Sequence, residues 1–148
     1  IGAEETVKRE EHIMDTAIVA KMRVKPGMTA RVFNAPEGYP QNPDLDFGKT
    51  ENAAFVHLFA ESRAQFEASF GEAAGTAAPD ALLWVSYPKG SGKQKYDINR
   101  DSLWDLVIPR GWHPVSPVSL DGKWSAVRLK PNEPGKEYVR PNNVKATV

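Results

Sequence analysis

The chain has 148 residues, 41% of them hydrophobic and 26% charged, proportions that suit one globular domain with a continuous core and exclude a wholly disordered chain. Its 19 basic and 19 acidic residues cancel, which argues against a nonspecific nucleic-acid binder, and the absence of cysteine excludes disulfides, thiolate nucleophiles and thiolate metal sites. No apolar run reaches the roughly 20 residues that span a bilayer and the start lacks the order of a signal peptide, so a cytoplasmic protein with neither a membrane nor a nucleic acid as partner is expected.

The opening "IGAEETVKREEH" is charged and has no apolar stripe, so residues 1–13 are expected to be a flexible extension. From Asp15 to Met22, "DTAIVAKM" offers a capping residue and then helical spacing, predicting a short helix that ends before Pro26 and Gly27. "TARVFNA" (Thr29 to Ala35) is rich in β-branched and aromatic residues and predicts a first strand. The prolines and glycines of "PEGYPQNPDLDFG" then predict a loop.

"NAAFVHLFA" (Asn52 to Ala60) is apolar almost throughout, the pattern of a central strand covered on both faces. "ESRAQFEASFGEAAG" places Ala64, Phe66, Phe70 and Ala73 near one helical face, with Gly75 as the expected stop. "ALLWVSY" (Ala81 to Tyr87) predicts a second buried strand. Asp97 or Asn99 is suited to cap the next helix, whose apolar stripe is Leu103, Leu106 and Val107 and whose end is marked by Pro109 and Gly111. Two extended runs around Asp121-Gly122 predict a hairpin. Residues 132–148 form a polar, Pro/Gly-containing tail, leaving 14–131 as the single domain.

Buried strands that alternate with helices and then close on a hairpin predict a small three-layer Rossmann-like α/β sandwich, its sheet mostly parallel and ending in an antiparallel C-terminal hairpin. The charge is not evenly spread along this order. Residues 1–80 hold 8 basic and 13 acidic side chains and residues 81–148 hold 11 and 6, so the second half favours an anionic ligand.

"GSGK" (Gly90 to Lys93) invites a phosphate-loop reading that its surroundings refuse. The first required glycine falls on Tyr87, and Gln94 replaces the hydroxyl that would hold magnesium. No Gly-x-Gly-x-x-Gly follows the first strand, where "FNAPEGYP" offers Gly38 alone. Ser86 lies in no Gly-x-Ser-x-Gly elbow, so a serine hydrolase is unsupported, and the separated His12, His57 and His113 give no metal centre. His57, inside an apolar strand, reads as a hydrogen-bonded core residue.

"NAPEGY", "LWVSYPKGSGK", "INRD" and "WSAVRLK", with the "KPGM" lead-in, resemble recurring blocks of an uncharacterised bacterial domain-of-unknown-function family over roughly residues 15–130. That resemblance implies a small cytoplasmic bacterial domain and leaves its activity open. The element order also resembles the later part of a class I methyltransferase sheet. That likeness implies a glycine-rich first loop and an acid at the end of the second strand to hold S-adenosylmethionine; the first is absent here and residues 36–50 leave no room for the intervening units.

Ligands of open α/β sheets gather beyond the carboxyl ends of the parallel strands. The loops there carry Asn34, Glu37, Tyr39, Ser86, Tyr87 and Lys89, with Lys93 and Arg100 adding positive charge beside a helix N-terminus. No cofactor is identifiable. Three functions follow: a noncatalytic domain binding a small anionic metabolite, a degenerate methyltransferase-like transferase using Glu37 or Tyr87 in proton transfer, or an interaction module, such as a homodimer, joined through the edge of "SPVSLDGKWSAVRL".

Overall fold

The computed structural model describes residues 21–39, 45–48, 51–90 and 96–139. Its chain order is β1 (Ala30–Phe33), β2 (Ala53–Phe59), α1 (Arg63–Thr76), β3 (Ala77–Pro88), α2 (Arg100–Val107), a 3-10 turn (Ile108–Arg110), β4 (Trp112–Ser119) and β5 (Trp124–Pro131). These build one mixed sheet in the order β1-β2-β3-β5-β4. β1, β2 and β3 run parallel, and β5 lies antiparallel between β3 and β4. This is the Rossmann-like arrangement with a C-terminal hairpin that the sequence predicts.

Period-two alternation sorts the strand residues onto two faces. Val56, Leu58, Leu83, Val85, Val127 and Leu129 meet both helices, through Phe66, Phe70 and Ala73 of α1 and Leu103, Leu106 and Val107 of α2. Phe55, Phe59, Trp84, Trp124 and Ala126 face the other way and are covered by Met22 and Leu45. Trp84 Nε1 donates to Met22 O at 3.1 Å, fastening the lead-in segment to that face. Each large apolar side chain sealed in these layers contributes about 1.5–3 kcal/mol. Of the helix predicted over Asp15 to Met22, only the end falls within the described residues, where Lys21 to Arg23 form a turn.

One helix boundary differs from expectation. α1 passes through Gly75, because the Thr76 hydroxyl donates to Ala73 O and the Ala77 N–H to Ala74 O, so the last carbonyls are satisfied without a left-handed glycine. Ala64 is exposed, leaving Phe66, Phe70 and Ala73 as the buried stripe. α2 is capped by Asn99, whose side chain accepts from Ser102 N while Ser102 Oγ accepts from Asn99 N. Asp97 instead serves α1: its carboxylate accepts from the first backbone N–H of that helix, at Arg63, and its carbonyl accepts from Arg63 Nε.

The hairpin turn is an Asp-centred one, with Asp121 Oδ1 accepting from Lys123 N and Trp124 N at 2.8 and 2.7 Å. Of the run "SPVSLDGKWSAVRL", only the β4 portion lies at an edge, since β5 is flanked on both sides. That edge carries Pro114 and Pro117 and a bulge at which Ser116 takes φ 50°, features that remove donors and blunt strand addition. Residues following β5 return to the sheet: Asn132 donates to Gly111 O and Ile108 O, and Tyr138 stacks on His113 with ring centroids 4.0 Å apart.

Candidate functional site

The turn that leaves β1 begins with Asn34 in the left-handed region at φ 58°. Its amide nitrogen donates to Phe59 O at 3.1 Å and to Ser69 Oγ at 3.0 Å, so one side chain ties the ends of β1 and β2 to α1. Gly38, at φ 89°, turns the chain back so that Tyr39 folds over the sheet. The Tyr39 ring meets Phe59 and His57 edge-on at 5.6 and 5.5 Å. Glu37 is exposed on the outside of the turn.

Beneath Tyr39 lies a polar chain inside an apolar layer. Tyr39 Oη is 3.1 Å from His57 Nδ1, and His57 Nε2 is 2.5 Å from Ser86 Oγ. Either tautomer of His57 satisfies both ring nitrogens, because each hydroxyl is able to donate or accept. Burial pushes the imidazole down to about 3 and the phenol above its usual range, so both stay neutral. Ser86 and His57 have the spacing of a nucleophile and its base, but both are 0% exposed and the third member is a neutral phenol. The arrangement satisfies polar groups in the core rather than presenting a reactive one.

The other polar groups near the strand ends are also engaged by the protein. Lys89 Nζ donates to Ser119 Oγ at 2.6 Å and Asp121 O at 2.5 Å, drawing the ammonium onto the hairpin turn. Lys123 from that turn reaches Glu61, just beyond β2, at 2.5 Å, and this hydrogen bond is the main reason its pKa rises. Ser62 accepts from Gln65 N to start α1, and Gln65 Oε1 accepts from Glu61 N.

Tyr87 points to the helix side of the sheet, opposite to Ser86. Burial raises its pKa, with opposing contributions from Arg100 and Asp101, which places the head of α2 beside it. Arg100 opens α2 with its side chain 59% exposed and only a 4.0 Å pairing to Asp101. Lys93 lies outside the described residues. The strand ends therefore bring Tyr39 and Ser86 together through His57 and set Tyr87 near Arg100, while Asn34 and Lys89 turn to structural partners. His57, Lys123 and Glu61 are not among the site residues that the sequence predicts; their pairing joins segments far apart in the chain and leaves no local motif. No group of three or more His, Asp or Glu side chains suited to a metal occurs among the described residues, and none of their helices is long and apolar enough to cross a membrane.

The fold is similar to that of a SAM-dependent methyltransferase from Aquifex aeolicus, with a TM-score of 0.52 and 10% identity over 84% of this chain and 96% of that one. A structure described as a DhpI–SAH complex aligns with a TM-score of 0.42 and 14% identity over 65% of this chain and 56% of that one. No protein-family model and no curated protein matches the sequence. At such identities the likeness is one of fold, and the sheet is methyltransferase-like.

The residues present do not fit S-adenosylmethionine in the way that fold implies. The turn after β1 holds one glycine, and Asn34, at its entrance, is bonded to Phe59 and Ser69. The described acid on the segment beside β1 is Asp46, which bridges Thr29 at the amino end of the sheet. Its carboxylate accepts from Gly48 N at 2.8 Å, so it caps its own turn away from the carboxyl ends.

Proposed function

We propose that this chain is a noncatalytic Rossmann-like domain that binds a small anionic ligand beyond the carboxyl ends of its parallel strands. The observation that carries the reading is the contrast at those ends: Tyr39, Ser86 and Lys89 are engaged within the protein, whereas Arg100 stands exposed at the head of α2. A helix N-terminus and a guanidinium together favour an anion. Glu37 is exposed on the turn after β1 and Tyr87 faces the helices, so neither is paired with a second proton-transfer group among the described residues. The excess of basic residues in 81–148 acts in the same direction.

A methyltransferase-like transferase is the second reading, and one observation favours it. The Aquifex aeolicus chain is matched over 96% of its length by 84% of this one, so a chain of similar size is described as SAM dependent. A thermal-shift screen separates the two. Phosphorylated and carboxylated metabolites are expected to raise the midpoint of the full chain, and Arg100→Ala to reduce the rise. Stabilisation by S-adenosylmethionine or its demethylated product alone would favour the transferase instead.

A further inference from the structure

A second cationic position lies on the sheet face away from the helices. Trp124, Ala126 and Arg128 alternate onto that face of β5, and Arg128 sits in register between Trp84 of β3 and Val115 of β4. Its Nε is buried and has no hydrogen-bond partner. Trp84 is also the residue that holds Met22 O, which brings the turn containing Arg23 over the same place. Arg23 takes φ 70°, a left-handed conformation that is unfavourable for a non-glycine residue.

The two guanidinium groups interact as like charges. Burial first, and then the charge of Arg23, holds the Arg128 pKa below its usual range. Other described arginines have acidic or carbonyl partners: Arg31 with Glu72, Arg63 with Asp97, Arg110 with Glu67. Arg23 and Arg128 form no ion pair among the described residues. A buried donor without an acceptor, a repulsive pair and a strained backbone are three separate costs at one place, and one bound anion offsets the first two.

We propose that Arg23 and Arg128 form a binding site for a small oxyanion of the phosphate or carboxylate class, distinct from the strand ends. The guanidinium edge that includes Nε offers two parallel N–H donors, the spacing that two oxygens of such a group accept. Arg128 lies opposite Trp84, whereas Trp124 marks the register of Pro88 at the end of β3, so the site lies along the sheet away from the strand ends.

Calorimetric titration of the full chain with inorganic phosphate, and separately with acetate, at constant ionic strength set by chloride tests this assignment. Saturable binding of at least one anion is expected, weakened about tenfold or more by Arg23→Gln and by Arg128→Gln and retained in Arg100→Ala. Arg23 is exposed, so its variant reads out binding even where the Arg128 variant does not fold. Tighter binding of phosphate than of acetate assigns a phosphate-bearing ligand, and the reverse a carboxylate. No saturable binding of either anion overturns the proposal, as does binding that Arg23→Gln leaves unchanged. Binding lost in Arg100→Ala but kept in Arg23→Gln places the anion at the strand ends and also overturns it.

Discussion

His57 Nε2 lies 2.5 Å from Ser86 Oγ across neighbouring strands, in a layer where both residues are wholly buried. Together with Tyr39 on the other ring nitrogen, this makes the most deeply placed polar network described in the chain a structural one.

Acid should expose it. The unfolded imidazole protonates near 6.5, whereas the folded one resists until about 3. Between those values the unfolded state binds more protons, so stability falls as the pH falls through the window and is unaffected by His57 above it. The loss reaches on the order of a few kcal/mol by pH 4. Urea unfolding at pH 7 and pH 4.5 should show a larger drop for the wild type than for His57→Gln, whose amide does not titrate; equal drops would contradict the assignment.

Asn34 combines a left-handed backbone with two side-chain hydrogen bonds. Asn34→Gly removes the bonds but suits the backbone, and Asn34→Ala loses on both counts. The alanine variant should therefore be less stable than the glycine variant by about 1 kcal/mol, measured by chemical denaturation.

Lys89 holds the hairpin turn through Ser119 and Asp121. Lys89→Ala is expected to lower stability by about 1–2 kcal/mol while leaving ligand-induced stabilisation intact. Loss of ligand response at unchanged stability would return Lys89 to the binding crevice.

The reciprocal bonds of Asn99 and Ser102 start the helix that carries Arg100. Asn99→Ala should cost about 1 kcal/mol and should weaken anion binding at the strand ends as the first turn loosens. Amide hydrogen exchange over residues 100–103 would show that loosening directly.

The sheet was legible because each strand carries its own signal. The apolar run Asn52 to Ala60 requires two covered faces, and the extended runs around Asp121-Gly122 require a hairpin. Gly75 misled as a helix stop because Thr76 and Ala77 satisfy the last carbonyls, an option that glycine position does not reveal. The candidate site was legible only as a set of loops. Which side chains face a ligand depends on partners distant in sequence: Lys89 finds Asp121, Lys123 finds Glu61 and Tyr39 finds His57. Arg128 does carry a local signal, since it continues the inward series Trp124 and Ala126 and so places a charge where an apolar residue is the rule.

The most direct measurement is a calorimetric titration of the full chain with S-adenosylmethionine. With a single glycine in the turn that leaves β1, Asn34 bonded across the strand ends and Asp46 turned to Gly48, no saturable binding is expected up to about 1 mM. Saturable binding in the micromolar range, about −8 kcal/mol, would contradict the account and identify the domain as one that still holds the methyl donor.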